Sequence, residues 1–161
     1  MDDIDRINAL LSDIGRRHEI SQLRLAADGT VCLRLNSHIE LNLEYVSGSK
    51  KLFAYYSVMT LPHDNAARLR LYEAMLDLNC LQLGSGHGVL AIDRIGGRAL
   101  CQAGIDVDKL DLDVLDRMLR DLVMQKEEIV RKLDDALGIT SNEMPSPALP
   151  VVHRRSLLSR A

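Results

Sequence analysis

One run of residues, Leu52–Met59, constrains the fold more than any other part of the sequence. It carries three of the five aromatic residues of the chain, and all five lie between Tyr45 and Tyr72. Because side chains alternate between the two faces of a β-strand, the run divides into two apolar sets. One set is Leu52, Ala54, Tyr56 and Val58, and the other is Phe53, Tyr55 and Met59. An antiparallel sheet commonly needs only one apolar face. Both faces of this strand must therefore be packed against other residues, and a second copy of the chain or a partner could cover one of the two faces.

Length and composition indicate one globular domain with a separate tail. The chain has 161 residues, of which 47% are hydrophobic and 27% charged, and its net charge is −3. Residues 139–161 carry +2 and contain three prolines, so we interpret them as a mobile, weakly basic tail. Residues 1–138, the expected domain, carry −5. Nucleic-acid binders usually present a basic face, so the acidic domain argues against that class.

Cysteine usage and the start of the chain favour the cytoplasm. Cys32, Cys80 and Cys101 are odd in number and far apart, and no Cys-x-x-Cys occurs. They predict neither a disulfide framework nor a zinc site. The acidic start does not resemble a signal peptide, and no apolar stretch reaches the roughly 20 residues that span a bilayer. We therefore expect a cytoplasmic protein without membrane insertion.

Hydrophobic periodicity predicts the order helix, four strands, helix, two strands, helix. The helices are expected at residues 4–14, 64–81 and 112–137, and the strands at residues 23–25, 31–35, 39–45, 52–59, 88–93 and 99–105. Strand 39–45 alternates cleanly, so we expect Glu40, Asn42 and Glu44 to face water. The order predicts an α+β fold, a twisted antiparallel sheet with helices packed on it.

The second predicted helix, like the strand, has apolar residues on more than one side. Leu69, Tyr72, Leu76 and Asn79 form one stripe, and Leu71, Met75 and Leu78 form another. Two stripes exceed the single stripe that usually faces a core. Partner contact and ordinary core both remain open, although Met and aromatic residues favour contact. The third helix has near-heptad spacing interrupted by Lys126, which favours packing on the sheet over a coiled coil.

The sequence predicts no catalytic residue, cofactor or metal site. The glycine-rich stretch Gly84–Gly88 lies between a helix and a strand, whereas phosphate loops follow a strand and precede a helix. None of the five histidines has a ligand-type residue three or four positions later on a predicted helix. Cys80 near His87 could suggest a thiol nucleophile, but the end of an apolar helix favours a buried, inert thiol.

Three short motifs occur in order along the chain. They are Leu61-Pro62, Leu76-Asp77-Leu78-Asn79 and Gly86-His87-Gly88-Val89-Leu90-Ala91-Ile92-Asp93. Together with the order of elements, they resemble the class I type III secretion chaperones, the Tir chaperone-like family. The resemblance spans about Ile4 to Leu137 and leaves the tail without a counterpart.

The resemblance implies a bacterial, cytoplasmic, non-enzymatic homodimer. Such a dimer binds the N-terminal region of a secreted effector and keeps it soluble and export-competent. The dimer interface would involve the second helix, with Tyr55, Leu69, Tyr72 and Leu76 as candidates. Effector segments would lie on apolar patches and strand edges. The candidates for effector binding are Ile4, Ile7, Leu11, Val31 and Leu33.

Two alternatives remain open on the sequence. One is a regulatory adaptor of the same fold, which sequesters a transcription-control protein instead of an effector. The other is a small-ligand-binding protein or enzyme, which would need a concave pocket with convergent polar groups.

Overall fold

The computed structural model describes residues 2–35, 39–82 and 88–139. These residues form three helices and a five-stranded antiparallel sheet in the order β1-β2-β3-β5-β4. The elements are α1 Asp3–Arg17, β1 Thr30–Leu35, β2 Ile39–Val46, β3 Lys51–Thr60, α2 Asn65–Asn79, β4 Val89–Asp93, β5 Arg98–Asp106 and α3 Leu112–Leu137. The predicted α+β class is confirmed. The two-faced run is the central strand β3, and β1 and β4 are the edges.

Side-chain caps determine where α2 and α3 begin. The carboxylate of Asp64 accepts a hydrogen bond from the Ala67 amide at 2.7 Å, and that of Asp111 accepts one from the Val114 amide at 2.8 Å. Each satisfies an amide that has no partner within the helix. Gly138 ends α3 with a φ of +71°, a left-handed conformation that glycine adopts without steric cost.

All three helices pack on one face of the sheet. Tyr56 and Leu52 of β3 are fully buried on this face, within one core cluster. The cluster also contains Ile7 and Leu11 of α1, Leu71 and Met75 of α2, and Leu115, Leu122, Ile129 and Leu133 of α3. The chain's own helices therefore supply the first cover that β3 needs.

The other face of the sheet carries the second side-chain set of β3. Tyr55 and Leu100 are buried there, although they do not belong to the core cluster. We call this surface the helix-free face, because the described helices pack on the opposite side. It comprises Asn42, Glu44, Phe53, Tyr55, Leu100 and Gln102. Strand register aligns one row across all five strands, formed by Cys32, Asn42, Tyr55, Gln102 and Val89.

The expectation that Asn42 and Glu44 face water is wrong. They are only 5% and 3% exposed. Tyr55 lies opposite Asn42 in the sheet and Phe53 lies opposite Glu44, so aromatic rings stand beside both polar side chains. The Tyr55 hydroxyl also donates to Glu44 Oε2 at 3.3 Å.

The predicted strand at residues 23–25 is not a strand, so three strands, not four, precede α2. Leu23 and Leu25 are buried in the core. The Leu25 amide donates to Asn8 Oδ1 of α1 at 2.8 Å, so a helix side chain satisfies the backbone where a neighbouring strand was expected.

Met59 does not join Phe53 and Tyr55 on the helix-free face. The β3–β5 register shifts between Ser57 and Met59, and Met59 packs against the core cluster. A bulge of this kind inserts one residue and moves the following side chain to the other face.

Candidate protein-interaction surfaces

Helix α2 exposes an apolar stripe to solvent. Leu69 and Leu76 are 59% and 69% exposed, and Tyr72, one turn from each, is half-buried. We call these three residues the α2 stripe. Leu71 and Met75, on the other predicted stripe, are buried in the core. The structure thus separates the two stripes of α2, and one of them has no cover within the described chain.

The exposed apolar surface continues beyond the end of α2. Leu81 lies in a short 3-10 turn, is 85% exposed and has a φ of +51°. Val89, on the neighbouring edge strand β4, is 42% exposed but belongs to the row of the helix-free face. A large apolar side chain with a positive φ is uncommon, and such residues concentrate at functional surfaces.

Tyr55 is not part of the α2 stripe. It lies on the helix-free face and is 6% exposed, whereas α2 packs on the opposite face of the sheet. The structure therefore brings Leu69, Tyr72 and Leu76 together but separates Tyr55 from them. A role for Tyr55 in dimerisation stays a prediction.

Asn79 joins the end of α2 to the edge strand β4. Its Nδ2 donates to the Leu90 carbonyl at 3.0 Å, and its Oδ1 accepts from the Leu90 amide at 2.8 Å. One side chain thus satisfies the donor and the acceptor that an edge strand would otherwise present to another strand. This gives the terminal Asn of the Leu-x-x-Asn motif a physical role.

The other motif residues shape turns. Asp93 accepts hydrogen bonds from the Gly96 amide at 2.7 Å and from Arg98 Nε at 2.9 Å. A Cβ at Gly96 would collide with the Asp93 carboxylate. Arg68 donates to the Pro62 carbonyl through Nε at 3.1 Å and through its terminal nitrogen at 2.8 Å. Residues 84–87, which include part of the glycine-rich stretch and His87, lie outside the described residues.

The candidates for effector binding differ in accessibility. Ile7 and Leu11 are fully buried and Leu33 is 5% exposed, so all three side chains are already part of the chain's own core. Ile4 and Val31 are half-buried. A ligand could reach Ile4 and Val31 without displacing α1, and all five roles stay predictions.

Polar contacts attach the N-terminal end of α1 to β2 and to the segment before α3. The Tyr45 hydroxyl donates to Asp3 Oδ2 at 2.6 Å, and Arg6 donates to the Leu110 carbonyl at 2.9 Å. The hydrogen bond to Asp3 raises the pKa of Tyr45 to about 12, because ionisation would place two negative charges side by side.

Asp116 holds the other end of α1 against α3. His18 Nε2 lies 2.7 Å from Asp116 Oδ1, and Arg17 and Arg120 both contact Oδ2. These contacts, the hydrogen bond with His18 foremost, lower the pKa of Asp116. His18 and Asp116 are 98 positions apart, so no local spacing signals the cluster.

Within the described ranges, no three His, Cys, Asp or Glu side chains are placed to hold a metal ion. Cys80 is exposed, so the expectation of a buried thiol is wrong, since α2 ends one residue earlier and Cys80 begins the 3-10 turn. Cys101 is buried, and burial raises the pKa of its thiol.

A groove of about 710 Å³ beside α1 has charged groups of both signs, among them Asp5, Arg16 and Glu19. No helix of the described segments has the length and apolarity needed to cross a membrane.

Solved structures share this fold. A chain of the ExsC–ExsE complex aligns with a TM-score of 0.69 and 18% identity, over 83% of this chain and 97% of that chain. A chain of the HopA1–SchA chaperone–effector complex aligns with 0.62 and 21%, over 78% and 94%. A chain of the Yersinia pestis type III secretion chaperone SycH, in complex with a stable fragment of YscM2, gives 0.57 and 17%, over 76% and 98%. At these identities the likeness establishes the fold alone.

The described residues combine a sheet that has its helices on one face with an exposed apolar stripe on α2. Residues 9–129, about three quarters of the chain, match the model of the Tir chaperone protein (CesT) family. The chain therefore belongs to the Tir chaperone protein (CesT) family, and the predicted resemblance is confirmed. No curated protein sequence matches the chain.

Proposed function

We propose that this protein is a cytoplasmic type III secretion chaperone that acts as a homodimer. Each dimer would bind the N-terminal region of a secreted effector and keep it unfolded enough for export. The family match and the fold support the chaperone function. The observation that carries the proposal is the α2 stripe, in which Leu69 and Leu76 remain more than half exposed.

A two-fold symmetric dimer would bury the α2 stripe without any other partner. In a symmetric dimer the same patch is buried from both copies, so an apolar stripe is its own complement. Leu69 and Leu76 flank Tyr72 by one turn on either side. A two-fold axis that passes near Tyr72 would place each Leu69 against Leu76 of the other copy. Stable interfaces bury about 1,600 Å² in total. The stripe would form the centre, and exposed Leu81 could extend it.

We place the effector on the edge strand β1. The opposite edge strand, β4, is less available because Asn79 occupies the main-chain donor and acceptor of Leu90. An extended segment that adds to a sheet edge gains main-chain hydrogen bonds whatever its sequence, and apolar side chains add selectivity. Half-buried Val31 of β1 and Ile4 of α1 are the accessible apolar candidates. Binding in this mode would keep the effector extended.

Co-purification with the effector, followed by hydrogen exchange, tests this function. The protein should recover a larger protein bound through its N-terminal region. Binding should slow exchange of the amides of β1, while those of β4 serve as the internal control. Slowed exchange at β4 alone would contradict the assignment to β1. Recovery of a transcription-control protein in place of an effector would establish the adaptor function instead.

A further inference from the structure

The helix-free face carries buried side chains whose burial the helices and the α2 stripe do not explain. Tyr55 and Leu100 at its centre are only 6% and 3% exposed, although neither belongs to the core cluster that the helices build. Phe53 lies across Gly104, where an added Cβ would stand 2.5 Å from Phe53 Cε1. The ring therefore rests on bare backbone. Rigid aromatic side chains of this kind are enriched at protein interfaces.

Two polar side chains specify what this face can bind. Asn42 is 5% exposed, and its buried Nδ2 has no hydrogen-bond partner among the described residues. Buried donors without a partner are rare in folded proteins, so this one points to a bound acceptor such as a main-chain carbonyl. Glu44 is 3% exposed and lies beside the rings of Phe53 and Tyr55. A guanidinium can bind a carboxylate with two hydrogen bonds and stack on a ring at the same time. The face is therefore suited to a segment that combines arginine with apolar residues.

The geometry points to the chain's own C-terminal segment, residues 140–161, as the occupant of the helix-free face. Its stretch Val151-Val152-His153-Arg154-Arg155-Ser156-Leu157-Leu158 places two arginines between two apolar pairs. The segment carries +2 and the rest of the chain −5, so the charges are complementary. This inference does not depend on the proposed chaperone function.

The segment is long enough to reach the face. It starts after Ile139, just beyond the end of α3. The residues from there to Arg154 span up to about 50 Å when extended. Five strands spaced about 4.8 Å apart occupy only about 20 Å. Arg154 or Arg155 would bind Glu44, a main-chain carbonyl would accept from Asn42, and the apolar pairs would cover Phe53 and Tyr55.

Two exposed cysteines of the chain allow a direct test in the full-length protein. Cys32 lies in the row of the helix-free face beside Asn42, whereas Cys80 follows α2 and lies near β4, at the other edge of the sheet. A nitroxide label is attached at Cys32 in the Cys80→Ser variant, or at Cys80 in the Cys32→Ser variant. The amide NMR signals of residues 151–158 should broaden more with the label at Cys32 than with the label at Cys80. No broadening from Cys32, or equal broadening from both positions, would overturn the inference.

Charge reversal supplies the matched control. The double variant Arg154→Glu with Arg155→Glu should abolish the broadening, and it leaves every described element unchanged in sequence. Arg117→Glu, an exposed substitution on α3, should preserve it. If the double variant retains the broadening, the arginines are not the anchor and the inference fails. A mixture of spin-labelled, isotopically unlabelled chains with ¹⁵N-labelled chains should show no broadening. Broadening there would assign the segment to a second copy and overturn the assignment to its own chain.

Discussion

Helices α2 and α3 are both rich in apolar residues, but they bury them differently. Helix α3 has a buried apolar stripe of Leu115, Leu119, Leu122, Ile129 and Leu133, and Met124 on its outer side is exposed. Helix α2 buries only Leu71 and Met75 and leaves Leu69 and Leu76 exposed. The comparison shows which apolar stripe the chain buries by itself. We infer that the apolar stripe of α3 is buried within its own chain, whereas the exposed stripe of α2 is buried against a second copy.

The two helices also differ in their polar attachments. The Asp116 carboxylate attaches α3 to Arg17 and His18 at the end of α1, whereas Asn79 attaches α2 to a strand edge through neutral hydrogen bonds. Hydrogen bonds that involve charged groups contribute more than neutral ones. Variants of the two helices should therefore separate into fold-stabilising and partner-binding positions.

Leu122→Ala should have the largest effect on stability. Leu122 is 1% exposed in the core beneath α3, and removal of a buried leucine side chain costs about 2–5 kcal/mol through lost burial and a residual cavity. Urea denaturation would measure the loss. Met124→Ala, two positions away and 73% exposed in the wild type, is the matched control and should change stability by less than about 0.5 kcal/mol. Equal losses for the two variants would contradict the burial of the α3 stripe.

Asp116→Asn should cost about 2 kcal/mol at neutral pH, because the partly exposed guanidinium groups of Arg17 and Arg120 and the ring of His18 lose their carboxylate partner. The contacts lower the folded-state pKa of Asp116 below the ordinary aspartate value of about 3.9. Its stabilisation is therefore fully present above about pH 4 and is lost as the pH falls through the folded-state pKa. The variant should lose less stability than the wild type when acidified below pH 4. Parallel acid denaturation curves would show that Asp116 is not the linked group.

Asn79→Ala should cost about 1.5 kcal/mol, because the amide and the carbonyl of Leu90 lose the side chain that satisfies them. Hydrogen exchange at the Leu90 amide should accelerate, while exchange in β1 stays constant. The exposed neighbour Asp77 provides the control substitution, Asp77→Ala. Unchanged exchange at Leu90 would mean that another group protects this edge.

Asp64→Ala and Asp111→Ala should each cost about 1 kcal/mol, because both carboxylates cap a helix through an amide three residues later. Thermal or urea denaturation at a fixed protein concentration measures both. The costs should be similar, since the two caps have the same geometry. A far larger cost for Asp64 would mean that dimer formation amplifies the loss of the α2 cap.

Much of this fold follows from local pattern. The apolar spacing of α3 and the capping residues Asp111 and Gly138 indicate its bounds without tertiary information. The alternation in β2 and β3 likewise indicates the strands and the core face. The surplus on α2 is visible for the same reason, because apolar residues on two sides of a helix exceed what one core can cover.

The errors have non-local causes. The segment containing Leu23 and Leu25 resembles a strand by alternation, but Asn8 of α1 provides its hydrogen-bond partner. Glu44 is polar and alternates like a solvent-facing residue, yet Phe53 and Tyr55 of the next strand stand beside it. The bulge before Met59 depends on pairing with β5. The candidate surface on α2 was predictable from spacing, whereas the burial of Ile7, Leu11 and Leu33 required the packed structure.

The measurement that tests the central claim most directly is the molar mass by light scattering of Leu76→Glu beside Met124→Glu. Both wild-type residues are leucine-sized, apolar and about 70% exposed, at 69% on α2 and 73% on α3. The wild type and Met124→Glu should have twice the chain mass of 18.0 kDa. Leu76→Glu should be a folded monomer of 18.0 kDa with the circular dichroism spectrum of the wild type, because a charge at the centre of a symmetric interface is buried twice. A wild-type monomer, or a Leu76→Glu variant that stays dimeric, would contradict the claim that a second copy completes α2.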